Sequence, residues 1–287
     1  MAGSPCKSKE GRAMLNDVLI PLRTQPLPDT PETARSLLRL AATFCTHASL
    51  CPLEVSVRRM RHWSAAFSGL GEASVFERVS RENADCLLAV AKESHQISVS
   101  ARVLPIVLGE TMSSLSLAAR CHDMTMIAFT DPKAGAALAE VALFGTGRPA
   151  MLIPSAIPDG PRPFARVAIA WDGSATASRA LRDAMPLIVA ADKVVVINAP
   201  ADKALESGCE RGLTDYLARR RINAKFVKVD TEILDIGLAL QHSAGVAGAD
   251  LLVMGAYGHS RLQQFILGGA TRGVLTNLQL PVLMSHS

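Results

Sequence analysis

The cysteines of this chain form no pattern. Cys6, Cys45, Cys51, Cys86, Cys121 and Cys209 are scattered, with no CxxC pair and none of the spacings that zinc or iron–sulfur sites require. Thiols placed in this way are expected to be free, in a reducing cytoplasm. No stretch approaches eighteen uninterrupted apolar residues, so no membrane-spanning helix is expected. The segment "MAGSPCKSKEGRAMLNDVLIPL" carries positive charge but lacks the continuous apolar region of a secretory signal. One-signed charge is also lacking. With 30 basic against 26 acidic residues, the surplus is too small to point to nucleic acid. The clusters Arg58, Arg59, Arg61 and Arg219, Arg220, Arg221 read as solvated surface or helix ends.

Known nucleotide and catalytic signatures are missing as well. No GxxxxGK[ST] occurs, which excludes a P-loop. "GTGRPA" at Gly145 to Ala150 has the spacing of a dinucleotide fingerprint. It precedes a strand pattern and contains Pro149, whereas that fingerprint must follow a strand and open a helix. "CHD" at Cys121 to Asp123 resembles a nucleophile–base pair, but it falls where a helix ends and a strand begins, so a structural role is expected.

What the chain does have is apolar α/β material. Aromatics make up only 4% while hydrophobic residues reach 49%, rich in Ala, Leu and Val. Three strand-like runs recur in order. "DVLIPL" at Asp17 to Leu22 matches "RVAIAW" at Arg166 to Trp171, "DMTMIAF" at Asp123 to Phe129 matches "DLLVMGA" at Asp250 to Ala256, and "RPAMLIPS" matches "LPVLMSHS". Such recurrence argues for two copies of one unit, joined by the Pro- and Gly-rich "SAIPDGPRPF". The expected division is residues 1–155 and 156–287.

Strands in the first copy are expected at Val18 to Pro21, Leu53 to Arg58, Ile97 to Val103, Thr125 to Phe129 and Ala150 to Ile153, with a helix over Glu72 to Glu93. In the second they are expected at Val167 to Trp171, Lys193 to Asn198, Ala224 to Val229, Leu251 to Met254 and Pro281 to Met284. Helices are expected over Ala175 to Ala190, Ser207 to Arg221, Ile233 to Ala247 and Gly269 to Asn277. Alternating strands and helices imply right-handed crossovers, a parallel sheet covered on both faces, and a ligand site beyond the carboxyl ends of the strands.

Two loops of the second copy carry chemistry at those ends. "WDGS" places Asp172 after the first strand, where it either caps the next helix or accepts hydrogen bonds from a ligand. After the fourth strand come Gly255 and Gly258, then nine residues, then Gly268-Gly269-Ala270-Thr271 opening a helix. Glycines allow close approach of backbone to ligand, and the amino end of a helix suits phosphate. In outline this is a nucleotide site.

"GAYGHSRLQQFILGG", the leading "AWDGS" and the ending "LPVLMSH" resemble the universal stress protein (UspA-like) family in order and spacing. Nucleotide-binding members of that family carry G-x2-G-x9-G-[ST] and an Asp after the first strand. The resemblance implies an α/β fold of two tandem Rossmann-like domains of the adenine nucleotide alpha hydrolase type, each a five-stranded parallel sheet flanked by helices. It implies ATP, ADP or AMP at the second domain, with Mg²⁺ accompanying the phosphates, in a regulator or sensor of stress. Asp172 would meet base and ribose, with Met254 and Gly255 lining the cleft. Gly258 and His259 would lie near the phosphates, and Gly268, Gly269, Ala270 and Thr271 would wrap them.

Gly269 departs from the family's Ser or Thr, removing a hydroxyl donor whose hydrogen bond to a charged group is worth roughly 1.5–3 kcal/mol; Thr271 or Arg272 could compensate. The first half has "PLRTQPLPDT" where Asp172 would stand, and Asp29 comes too late to be its counterpart. That half therefore reads as a degenerate domain, its cleft filled by its own side chains or holding something apolar.

No catalytic residues and no metal ligands are expected, and slow ATP hydrolysis is the most the resemblance leaves open. The alternatives are a nucleotide-free protein-interaction module and a carrier of another ligand in the first domain, with Met60, His62, Cys86 and His95 as contributors. By resemblance, the strands at Ala150 to Ile153 and Pro281 to Met284 would pair within the chain as a pseudo-dimer. A homodimer of such chains and unidentified protein partners complete the expectation, with no nucleic acid and no membrane.

Overall fold

A computed structural model of the chain describes residues 15–57, 70–157, 162–198, 209–229, 235–257 and 269–286. In the first half the order is β1 (Leu15–Arg23), α1 (Pro31–Ala42), β2 (Cys45–Ser56), α2 (Leu70–Glu93), β3 (Ser98–Ala101), β4 (Leu104–Val107), α3 (Ser113–Ala119), β5 (Met124–Phe129), α4 (Pro132–Thr146) and β6 (Ala150–Pro154). The second half continues with β7 (Arg166–Trp171), α5 (Ala175–Asp183), α6 (Met185–Ala190), β8 (Lys193–Asn198), α7 (Cys209–Ala218), β9 (Ala224–Lys228), α8 (Ile236–Val246), β10 (Leu251–Gly255), α9 (Gly269–Thr276) and β11 (Val282–Ser285).

The eleven strands among the described residues join one sheet, in the order β3-β2-β1-β5-β6-β11-β10-β7-β8-β9, with β4 also on β2. Among the described residues the one antiparallel pair is β6 with β11, in the register Val282 to Leu152, Leu283 to Met151 and Met284 to Ala150. The two halves are thus fused edge to edge through the strands expected to pair.

Residue alternation along the strands sorts the core into two layers. Ile20, Ile169 and Val253 point to the face covered by α1, α2, α5, α6 and α7, where Leu37, Leu87, Leu181, Leu187 and Leu217 pack on them. Leu19, Ala168 and Leu252 point to the other face, under Leu115, Leu138, Leu240 and Val274 of α3, α4, α8 and α9. Helix starts follow local chemistry. Thr30 and Asp131 each cap a helix whose next residue is a proline, accepting from Thr33 N and Ala134 N.

Three expectations require correction. The second strand starts at Cys45 rather than Leu53. Its polar early residues are satisfied by neighbours: Thr46 donates to Asn16 O, and the His47 ring meets the Ser98 and Ser100 hydroxyls. The third strand is not continuous. β3 and β4 keep one register along β2 but part opposite Cys51 and Pro52, where proline supplies no N–H to the ladder. The helix expected over Ala175 to Ala190 is two helices. Pro186 cannot continue the hydrogen-bond ladder, and α5 ends with Ala184 as its cap. Expectations for Cys6, Arg58, Arg59, Met60, Arg61, His62, Gly258, His259 and Gly268 lie outside the described residues.

Candidate functional site

The carboxyl ends of β7 and β10 lie side by side, since Val167 to Ile169 pair with Leu251 to Val253. From β7 the chain enters a tight turn. Gly173 has φ +75°, a conformation that L side chains rarely adopt. Ser174, not Asp172, is the cap of α5: its Oγ accepts from Ala177 N at 3.1 Å. Asp172 accepts from Ser174 N through Oδ1 at 2.9 Å, an Asx turn that fixes the carboxylate. Its Oδ2 has no hydrogen-bond partner among the described residues. Asp172 is half-buried, so it presents an oriented acceptor just above the sheet.

Gly255 ends β10 directly beneath the amino end of α5. A Cβ there would stand 2.6 Å from both Ala177 N and Thr176 Oγ1, so only glycine permits this approach. Two residues on, Tyr257 has φ +57° and donates its backbone N–H to Thr271 Oγ1 at 3.1 Å. That bond joins the chain leaving β10 to the first turn of α9. Thr271 is buried and its hydroxyl is the acceptor in this latch. Gly269 and Ala270 open α9 more openly, and a Cβ on Gly269 would meet only Ile236 Cγ2, at an ordinary 3.5 Å. Met254 is buried in the layer beneath α8 and α9, so it supports the cleft from within. The structure therefore brings together Asp172, Gly255 and Thr271 around two helix amino ends.

Polar groups without partners gather at the same end. Trp171 Nε1 and Asn198 Oδ1 are buried and unbonded among the described residues, at the last paired positions of β7 and β8. A cavity of about 740 Å³ opens beside the Asp172 turn. Trp171, Ala175, Ser178, Arg179, Arg182 and Tyr216 are among the residues that line it. Its size suits a small-molecule ligand.

The matching end of β1 is occupied by protein. Arg23 and Asp29 form a buried ion pair at 2.6 Å, and Asp29 Oδ2 also accepts from Arg23 N at 2.8 Å. Thr130, after β5, bonds to both partners. Thr24 and Ser80 complete the network with a 2.7 Å hydroxyl pair.

At the amino ends of β1 and β5, the "CHD" segment performs a clasp. Asp123 Oδ2 accepts from Asn16 N at 2.8 Å and Asp17 N at 3.1 Å, while His122 Nδ1 meets Ala118 O. The second half repeats it: Asp250 Oδ1 accepts from Arg166 N at 2.8 Å, and burial pushes the Asp250 carboxyl above its ordinary range. Cys86 and His95 are both exposed, and among the described residues no group of three His, Cys, Asp or Glu is placed to hold a metal.

A contact between the halves escaped the sequence reading. Tyr257 packs on Phe144 of α4 with ring centroids 4.5 Å apart, and His286 joins them at 4.7 Å from Phe144. His286 Nδ1 also meets Ala256 O at 3.1 Å. Burial drives the Tyr257 hydroxyl well above the usual phenol range. Sequence periodicity carries no signal for such a pair, whose members sit on different halves.

Comparison with known proteins gives the following. Residues 163–286 match the model of the universal stress protein family. A universal stress protein from Archaeoglobus fulgidus is similar in structure, with 14% identity over 96% of this chain and 97% of its own, at a TM-score of 0.63. A protein from Pseudomonas aeruginosa described as a putative universal stress protein aligns over 95% of this chain and 93% of its own, with 15% identity and a TM-score of 0.53. Among curated proteins the sequence has no match.

Proposed function

Since residues 163–286 match the model of the universal stress protein family, we propose that this part of the chain binds ATP or another adenine nucleotide at the carboxyl ends of β7 and β10. The chain would act in the cytoplasm as a stress-response sensor that changes conformation or partner on binding. The division into a first domain over 1–155 and a second over 156–287 belongs to the same reading.

One observation carries it: Asp172 is held by Ser174 N while its Oδ2 has no hydrogen-bond partner among the described residues, at a turn that Gly255 allows to pack directly on the end of β10. The carboxylate would accept from base or ribose. The buried, unbonded Trp171 Nε1 and Asn198 Oδ1 would find polar partners at the same end. The phosphates would lie against the amino end of α9, whose free N–H groups and dipole favour anions. By the motif, Met254 and Gly255 would line the cleft, Gly258 and His259 would lie near the phosphates, and Gly268, Gly269, Ala270 and Thr271 would wrap them. Mg²⁺ would enter with the phosphates. In the first domain the Arg23–Asp29 pair takes the ligand's place, which favours one nucleotide per chain.

Calorimetric titration with ATP and AMP in Mg²⁺, on wild type and Asp172→Ala, tests the reading. One site per chain, lost in the variant, is the expected result. Absence of binding by nucleotide-free protein would instead favour an interaction module whose site lapsed with Gly269.

A further inference from the structure

A second polar recess lies on the seam between the halves, sharing Arg179 and Arg182 with the larger cavity beside the Asp172 turn. It has a volume of about 300 Å³ and draws Asn16, Asp123 and Arg148 from the first half and Arg179, Arg182 and Asp183 from the second. The carboxylates in it are already engaged. Asp183 accepts from Arg179 Nε at 3.0 Å, from Arg182 Nε and Nη2 at 3.2 and 2.9 Å, and from Ser285 Oγ at 3.0 Å. Asp123 turns Oδ2 onto two backbone N–H groups.

The guanidinium donors are not used up. Arg148 spends Nε on Arg120 O, and Arg179 spends Nη2 on Gly147 O. Both Nη groups of Arg148, and Nη1 of Arg179 and of Arg182, have no hydrogen bond among the described residues. Three cations face two anions here, and the surplus is in planar donor forks, which match the oxygens of phosphate. Asp183 and the Gly147 carbonyl hold Arg179 in place, so part of the ordering cost is met before any ligand arrives.

We propose that this recess binds a phosphate dianion, free or as the phosphoryl group of a small metabolite, bridging Arg148 of one half to Arg179 and Arg182 of the other. The volume leaves room for a small group beyond the phosphate itself. A bound dianion would tie the halves together on the face covered by α5.

The test is calorimetry on the nucleotide-free full chain with inorganic phosphate and with glycerol phosphate, using wild type, Arg148→Gln, Arg182→Gln and Asp172→Ala. Both arginines are exposed, so circular dichroism should show unchanged folding. Each arginine variant should weaken phosphate binding by about tenfold or more, as loss of charge-assisted bonds predicts, while Asp172→Ala keeps it. Equal affinity for the two probes would assign the site to the free anion, and tighter glycerol phosphate to a metabolite. No saturable phosphate binding by wild type would overturn the proposal. So would binding that survives both arginine changes, or that disappears with Asp172→Ala.

Discussion

Gly273 of α9 sits against the carboxylate of Asp235, so that a Cβ added to the glycine would lie 2.7 Å from Asp235 Cγ. Asp235 is the cap of α8, accepting from Gly237 N at 2.8 Å and Leu238 N at 3.2 Å. The two helices therefore meet closely at a cap and a glycine, and Gln241 Nε2 donates across to Asn277 O at 2.9 Å. Gly273→Ala should destabilise the protein by about 1–3 kcal/mol through overpacking. Asp235→Ala should cost about 1 kcal/mol as a lost cap. Together they should cost less than the sum, because removing the carboxylate makes room for the new methyl. Urea unfolding of the four proteins measures the coupling, and strict additivity would refute the contact.

The Arg23–Asp29 pair makes a different demand. Its side chains are 7% and 1% exposed, so Asp29→Ala strands a buried guanidinium, at a cost of about 3–5 kcal/mol. Replacing both partners, as in Arg23→Met with Asp29→Leu, should recover much of that loss. Thermal or urea unfolding distinguishes the two outcomes.

Alkaline pH should weaken the fold through Cys45. Burial pushes its thiol up to about 11, from a reference of 9.0. A folded pKa above the unfolded one means the stabilisation is whole below the unfolded value and fades as pH rises through the folded one. Stability should fall across roughly pH 9 to 11, and Cys45→Ala should flatten that decline. In the native protein near neutral pH, a thiol reagent should modify exposed Cys86 and Cys121 well before buried Cys45 and Cys51. Mass mapping of the labelled peptides checks the order.

At Gly269 the chain has space for the side chain it lacks. The contact with Ile236 is an ordinary one, and the φ angle is not in the left-handed region. Gly269→Ser should fold normally and tighten ATP binding by roughly tenfold or more, as a restored donor to a charged phosphate would. Unchanged affinity in the same titration would mean that the hydroxyl has no phosphate to reach.

Much of the fold could be read from residue patterns, and the exceptions have physical causes. Runs such as Val167 to Trp171 and Lys193 to Asn198 became strands where expected, because β-branched and apolar residues buried on both faces have few alternatives. The start of β2 was hidden, since Thr46, His47 and Ser49 look like loop until their cross-strand hydroxyl and imidazole partners are known. At the site, Asp172 and the glycines stood out by spacing. The division of labour between Asp172 and Ser174 did not, because either residue type can cap a helix. Phe144 against Tyr257 was beyond any local pattern.

The antiparallel joint of β6 and β11 also bears on how the chain is made. During synthesis β6 appears first, and the strand that covers its open edge follows only after the entire second half. Until then the first half carries a bare, apolar strand edge, the kind of surface on which nascent chains mispair. Closure of the joint therefore waits until β11, the last strand in chain order among the described residues, has been made. A chaperone, or a neighbouring copy still being translated, would encounter this edge before its own partner strand does.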